Sequence, residues 1–253
     1  MAGNATEPGR TVLSRAVAVL DAFDESHRSL TATEIAARAT LPLSTAHRLI
    51  GELVAVDVLA RTGDRYVVGR RLWTLGLLAP VQTGLRDVAA PFLQDIYAAT
   101  RATVQLAVRD GHHALYVDRI AGNSSVAVLN TPGGRLPLHT TGVGKVLLAH
   151  APTEVRNEVL RSLTRVTAHS VTHVGRMRDQ LRRVREQGYA TTSEEMSLGA
   201  SSIAVPVVRG PHGDGPVVAA LGLVVPELGR HRPRLLSALL VAARGIGRSL
   251  VDP

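Results

Sequence analysis

Residues 30–53 read Leu-Thr-Ala-Thr-Glu-Ile-Ala-Ala-Arg-Ala-Thr-Leu-Pro-Leu-Ser-Thr-Ala-His-Arg-Leu-Ile-Gly-Glu-Leu, and residues 59–68 read Leu-Ala-Arg-Thr-Gly-Asp-Arg-Tyr-Val-Val. Thr31-Ala32-Thr33-Glu34 fits a capping box, in which the Thr31 hydroxyl accepts an orphan amide and Glu34 reaches back to the cap. Ile35, Ala36 and Ala39 then form an apolar face, and Leu41-Pro42 ends the helix. From about Leu43 to Val56 a second helix gathers Ala46, Leu49, Ile50 and Leu53 on one side. Opposite stand Ser44, Arg48 and Gly51, flanked by Thr45, His47 and Glu52. Gly63-Asp64 is a two-residue hairpin turn between two β-like runs. Helix, turn, helix and wing form a device that lays one helix in the major groove of DNA. The same elements also make a plain three-helix unit, and only the outer face of the second helix separates the two readings.

That face is small or hydrogen-bonding. Serine and threonine hydroxyls suit phosphates, and arginine is the usual reader of guanine edges. Arg61 and Arg65 bracket the wing. The candidate DNA contacts are therefore Thr33, Ser44, Thr45, His47, Arg48, Arg61 and Arg65.

Working outward, Leu13, Val17, Leu20 and Phe23 recur at helical spacing and predict a first helix to about Asp24. Residues 1–10 form a polar tail, expected to be disordered, before a winged helix-turn-helix domain over 11–69. Leu72, Leu75, Leu77 and Leu78, then Val88, Phe92 and Ile96, make two helical pieces broken near Pro80, so 70–83 is assigned as a linker helix. In the second domain, 84–253, β-like runs are expected at 103–109, 114–120, 125–130, 201–208 and 217–225. Helices are expected at 142–150, 153–163, 173–187 and 235–250. Strands clustered around a few helices predict an α+β domain with one antiparallel sheet.

Composition bounds the function. The net charge is +8, which suits an anionic partner. Residues 1–85 nevertheless hold nine arginines against eight acidic residues, so the excess lies further on and does not point to the first domain. There is no cysteine, which excludes disulfides and thiolate metal sites. No apolar run approaches the roughly 20 residues of a membrane span, and the N-terminus lacks a signal-peptide core, so a cytoplasmic protein is expected.

Three motifs in order carry a resemblance. Ser-Arg-Ala-Val-Ala-Val-Leu (14–20), Leu-Pro-Leu-Ser-Thr-Ala-His-Arg-Leu (41–49) and Tyr-Val-Val-Gly (66–69) resemble the DNA-binding half of the IclR family of bacterial transcription regulators. Leu-Pro-Leu-His-Thr-Thr-Gly-Val-Gly-Lys-Val-Leu-Leu-Ala (136–149) resembles its central motif. Gly-Tyr-Ala-Thr-Thr-Ser-Glu-Glu (188–195), with Gly199 and Ile203-Ala-Val-Pro206, resembles its later signature. The resemblance implies a winged helix-turn-helix, a linker helix and a GAF-like α+β effector-binding domain. It also implies a homodimer or a tetramer built as a dimer of dimers, bound to palindromic operator DNA. The expected function is a ligand-responsive regulator, a repressor in the first reading and an activator in the second. A small-molecule-binding enzyme with a vestigial DNA-binding module is the third.

The same resemblance implies effector contacts at Leu129, Gly142, Val143, Thr192, Ser202, Gly222 and Val224. Relatives that bind small hydroxy- or keto-acids carry an acid at the place of Thr192, a thiol at Ser202 and hydroxyls at Gly222 and Val224. The pocket here is expected to be less polar, roomier at Gly222, and suited to a fairly apolar carboxylate. Arg109, Arg119 and Arg135 are candidate carboxylate partners, each with a surface role as the alternative.

Other chemistry fits less well. Thr141-Gly-Val-Gly-Lys145 fails as a phosphate loop, because His139 stands where a glycine is needed and Val146 where a hydroxyl is needed. His112-His113 and His169 with His173 lack companion ligands for a metal. Glu194 and Glu195 are adjacent on a strand-like run and face opposite ways, which suits them poorly to joint acid–base work. No catalytic residue, cofactor or metal is expected.

Overall fold

The computed structural model describes residues 11–24, 27–76, 83–122, 132–210 and 213–250. The expected strand at 125–130, the break at Pro80 with Leu77 and Leu78, and the candidate contact Leu129 lie outside them. The chain divides into two compact units, Met1–Val81 and Gln82–Pro253.

The first unit contains α1 (Val12–Asp21), β1 (Ser29–Thr31), α2 (Ala32–Ala39), α3 (Leu43–Ala55), β2 (Leu59–Thr62), β3 (Arg65–Val68) and α4 (Arg70–Gly76). Its core joins Val19, Leu30, Ile35, Leu49, Ile50 and Leu59. The capping box of α2 forms as read: Glu34 N donates to Thr31 Oγ1 at 3.3 Å, and Thr31 N donates to Glu34 Oε2 at 2.7 Å. The bond from the Thr31 amide holds the Glu34 carboxyl below its ordinary value. Thr62 pairs with Arg65 across the Gly63-Asp64 turn.

Three expectations need correction. The first helix ends at Asp21, because Arg38 captures the next residues, its Nε donating to the Ala22 carbonyl at 2.6 Å and its Nη2 pairing with Asp24. Its apolar stripe is only half used: Val19 is buried, whereas Leu13 is 74% exposed and Val17 47% exposed. The wing also has a third strand, β1, which pairs antiparallel with β3 from Ser29↔Val67 to Thr31↔Arg65. Three residues are too few to show a period of two.

The second unit contains α5 (Thr83–Thr100), β4 (Thr103–Asp110), β5 (His113–Ile120), β6 (Arg135–Pro137), α6 (Gly142–Ala149), α7 (Thr153–Arg161), α8 (Val174–Gln187), β7 (Ala190–Ser193), β8 (Ser201–Val208), β9 (Val217–Val225) and α9 (Arg232–Ser249). The strands form one antiparallel sheet in the order β6-β5-β4-β9-β8-β7. Alternation sorts its two faces. Val104, Leu106, Ile203, Val205, Leu221 and Leu223 pack with Leu93 of α5 and Leu239 of α9. Ala107, Ala204 and Ala220 face the other way, with Val143, Val146 and Leu147 of α6 and Leu181 of α8. The second face is built of small residues, so α6 lies close against it, and every residue from Gly142 to Ala149 is buried.

Thr31→Ala removes the acceptor of the α2 cap. The expected cost is about 1 kcal/mol, read as roughly fivefold faster amide exchange across α2 with β4 and β9 unchanged.

Candidate functional site

Two surfaces follow from these elements. On the first unit, Thr33, Ser44, His47, Arg48 and Arg61 are exposed, and Thr45 and Arg65 are half-buried. Ser44, His47 and Arg48 share the outer side of α3, while Ala46, Leu49 and Ile50 are buried behind them. No side chain caps the N-terminus of α3, which begins after Pro42, so its first amides remain available to an anion. Arg48 Nη1 pairs with Glu52 Oε1 at 2.6 Å one turn on. Both side chains are more than half exposed, so the pair contributes only about 0.3–0.5 kcal/mol and opens readily.

The two wing arginines differ. Arg61 Nε donates to the Gly63 carbonyl at 2.9 Å, at the hairpin tip. Arg65 is a brace: Nη2 donates to the Ser29 carbonyl and to Glu34 Oε2, each at 2.9 Å. It ties the wing to β1 and to the cap of α2. Sequence spacing cannot show this, because the partners lie 36 and 31 positions away.

On the second unit the register brings the sequence-predicted residues together. Thr192, Ser202, Val224 and Thr103 lie in one row across β7, β8, β9 and β4. Ala190, Ala204, Gly222 and Gln105 form the next. Above these rows the α6 N-terminus brings in Gly142 and Val143, and a cavity of about 40 Å³ lies between. Gly142, Val143, Thr192, Ser202, Gly222 and Val224 all line it.

Its polarity is organised around Ser202. Gly142 N donates to Ser202 Oγ at 3.1 Å, and Thr192 Oγ1 lies 2.6 Å from the same oxygen. Sequence reading missed Gln105, Tyr116, Thr140, Thr141 and Met196 in the lining. For Gln105 on β4 and Tyr116 on β5 strand alternation was the available signal, but it does not say which face carries a cavity, and Thr140, Thr141 and Met196 lie outside the strands. Tyr116 is buried, and burial pushes its phenol up to about 12 against an opposing hydrogen bond from Thr141. Arg119 pairs with Gln105 in the register and so continues the second row on the cavity face. Its Nε is buried without a hydrogen-bond partner. Arg109 donates to the Gly111 carbonyl and Arg135 to Asp110, leaving them in surface roles.

The expectation of extra room at Gly222 is overturned. A Cβ placed there would stand 2.8 Å from Val143 Cγ1 and 3.3 Å from Ala204 Cβ. The space a side chain would occupy is already filled by Val143, and glycine is what lets α6 approach.

Beneath the cavity, Lys145 Nζ lies 2.6 Å from Glu195 Oε1 and 2.8 Å from Gln180 Oε1. Burial lowers the Lys145 ammonium from its ordinary value, opposed by the Glu195 carboxylate. His139 donates Nε2–H to the Thr164 carbonyl at 2.8 Å. Burial holds that imidazole low, so it is neutral at pH 7. The flagged histidines have other partners: His112 pairs with Glu158 at 2.6 Å, and His173 Nδ1 accepts from Arg176 N to cap α8. Among the described residues no group of three or more potential metal ligands occurs. No described helix is long and apolar enough to cross a membrane.

Comparisons with known proteins agree over both units. The IclR helix-turn-helix domain profile matches residues 12–63, and that of the bacterial transcriptional regulator IclR C-terminal matches residues 79–248. The chain is 31% identical over 246 residues to the HTH-type transcriptional regulator XynR of Escherichia coli (strain K12), covering 93% of this chain and 96% of that one. It is 29% identical over 235 residues to the HTH-type transcriptional repressor AllR of Salmonella typhi, covering 91% and 85%. Among solved structures, an IclR homolog from Microbacterium hydrocarbonoxydans complexed with 4-hydroxybenzoate superposes with a TM-score of 0.88 at 36% identity, over 95% of this chain and 99% of that one. A regulator from Alicyclobacillus acidocaldarius gives 0.80 at 26% identity, over 93% and 97%.

Gly222→Ala is expected to cost about 1–3 kcal/mol in urea unfolding by overpacking. Adding Val143→Ala should recover most of that loss, and additive losses would show the two sites to be independent. The unfolded chain takes up a proton at His139 near its ordinary value of about 6.5, while the folded chain resists. Stability should therefore fall as pH drops from 7 to 5, and less so in His139→Gln, measured by urea midpoints at each pH.

Proposed function

This chain belongs to the IclR family of bacterial transcriptional regulators, and from that membership we propose that it is a ligand-responsive repressor of a catabolic operon. It reads a palindromic operator with paired recognition helices and responds to a small, fairly apolar carboxylate. The reading rests on one observation above the others: the cavity lining joins hydroxyl, amide and aromatic groups, with no charged residue among the described residues that line it.

An aromatic ring suits walls made of Tyr116, Leu136, Val143 and Val224. A hydroxyl or carboxylate on that ring meets Ser202, Thr192 and the first amides of α6, where the helix dipole favours negative charge. Arg119, with its buried and unmatched Nε beside Gln105, supplies the nearby cation. The 4-hydroxybenzoate complex of a 36% identical homolog supports this ligand class, and the repressor AllR supports the sign of regulation.

On the DNA side, Arg48 is the base reader, Ser44, Thr45 and His47 position it on phosphates, and Thr33 and Arg61 contact the flanking backbone. Arg65 acts through the wing it braces. A single recognition helix reads only a few base pairs, so two copies related by a two-fold axis supply affinity and select two half-sites. Effector binding changes the spacing of the paired helices and so weakens the complex. The protein acts in the cytoplasm as a homodimer or a dimer of dimers and catalyses no reaction.

The protein is expected to shift its own upstream DNA in a gel assay, surviving competitor DNA. Arg48→Ala should weaken the complex by roughly ten- to hundredfold, and raised salt should weaken both proteins alike. In the same assay 4-hydroxybenzoate should weaken the operator complex by about tenfold, and glyoxylate should not. Tight glyoxylate binding by calorimetry would overturn the ligand class, and a complex strengthened by effector would overturn the sign.

A further inference from the structure

Neither Lys145 nor Glu195 lines the cavity, yet both are buried within two residues of side chains that do. Lys145 is 1% exposed. It is the only lysine in the chain, in a helix otherwise made of glycine and aliphatic residues. Nothing in the DNA-binding or effector-contacting roles above accounts for a charge there. A neutral side chain would fill the same space without the desolvation a buried ion carries.

The partners explain what the charge holds. Glu195 is the second residue of the segment 194–200, of which Met196, Ser197 and Ala200 line the cavity. Among the described residues the cavity's other walls are strand residues, Thr140 and Thr141 just before α6, and the start of the buried helix α6. The 194–200 segment is its exposed side, with Leu198 67% exposed. A cavity of about 40 Å³ is well short of the roughly 150 Å³ that holds a benzene ring, so a ring enters only if a wall gives. The tip of the 194–200 segment is held mainly by its own bonds, Glu194 N to the Ala200 carbonyl at 2.8 Å and Gly199 N to Glu194 Oε1 at 2.6 Å. Its base is held from outside. The Glu195 carbonyl accepts from Ser170 Oγ at 2.8 Å, Thr140 Oγ1 contacts Met196 Sδ at 3.2 Å, and the Glu195 carboxylate meets Lys145. Of these, only the ion pair reaches α6, whose first residues form the opposite wall.

We propose that the Lys145–Glu195 ion pair is a latch that holds the Met196–Ala200 wall against α6, making both residues positioning residues for effector capture. The pair fixes the base of the wall while its exposed tip swings, so it sets how easily the cavity opens and how firmly it closes. The carboxylate's second oxygen, Oε2, is buried without a hydrogen-bond partner, so the carboxylate has no other bond to fall back on when Lys145 is lost. The inference rests on the reading of this cavity as the effector site, but its mechanical content does not require the effector to be known.

The test compares the full-length protein with the double variant Lys145→Met/Glu195→Leu, which replaces the pair by apolar groups of similar volume. Such replacements are commonly neutral for folding. Amide exchange of residues 194–200 is read without ligand, beside thermal melting and calorimetry with 4-hydroxybenzoate. The latch predicts an unchanged melting temperature, about tenfold faster exchange confined to 194–200, and 4-hydroxybenzoate that dissociates faster and binds more weakly. Wild-type protection at 194–200, or acceleration spread equally through β8 and β9, would overturn it. Glu195→Gln, which keeps the shape and removes the charge, gives the same comparison if the double variant does not fold. Failure of both to fold would assign the pair to the whole domain and sink the latch. A wild-type protein indifferent to 4-hydroxybenzoate would defeat the ligand assignment and leave the exchange comparison intact.

Discussion

The second unit depends on one close approach. Helix α6 is buried along its whole length because the sheet face beneath it carries alanine and glycine where larger residues would hold it off. Ala107, Ala204, Ala220 and Gly222 form that floor, and Gly142 and Gly144 let the helix start hard against it. A Cβ on Gly144 would stand 2.5 Å from the Leu138 carbonyl oxygen. Three consequences follow. The helix N-terminus is brought to the cavity, where the Gly142 amide donates to Ser202 Oγ. The space is small, because Val143 fills what Gly222 leaves. The lysine on that helix has no route to water and must take its counter-ion from the surrounding chain.

That last consequence links architecture to function. Removing one member of a buried ion pair typically costs about 3–5 kcal/mol, whereas replacing both by apolar groups is often neutral. A charge kept in such a place is therefore poorly explained by stability alone. Here the counter-ion belongs to the segment that walls the cavity, so the cost of burying the lysine fixes a moving part at a defined place. The hydroxyl cluster at Ser202 does related work on the opposite side, since one oxygen meets the Gly142 amide and the Thr192 hydroxyl together. Both sets of contacts tie α6 to the sheet edge formed by β7 and β8.

Sequence made some of this legible and hid the rest for physical reasons. The α2 cap, the Gly63-Asp64 turn and the long strands β4, β5, β8 and β9 are governed by neighbours a few positions away, and they appear where expected. The short strands β1, β6 and β7 carry too few residues for periodicity to register. The brace that Arg65 makes to Ser29 and Glu34 is hidden because its partners lie 36 and 31 positions away. Gly222 reads as empty space because a missing side chain says nothing about what fills the gap, and Val143, 79 positions earlier, fills it. Lys145 reads as part of a failed phosphate loop, since its true partner lies 50 residues on. Four of the seven effector candidates fall in two adjacent strand rows, because a period of two fixes the face once the register is known, and Gly142 and Val143 reach the same cavity from α6. The seventh, Leu129, lies outside the described residues.

The charge distribution limits how the first unit can act on DNA. Over residues 1–81 nine arginines stand against eight acidic residues, a net of +1. Several of those arginines are committed internally: Arg38 to Asp24, Arg65 to Glu34 and, more loosely, Arg48 to Glu52. A head with so little free charge releases few counterions, and nonspecific attraction grows with each phosphate neutralised. In the proposed mode, one such head would hold DNA weakly and depend on the fit of α3 in the groove. Joining two heads in the proposed dimer would multiply the fit without adding much indiscriminate attraction. Discrimination between operator and bulk DNA would then come from the spacing of the heads, which is the quantity a ligand in the second unit is proposed to change.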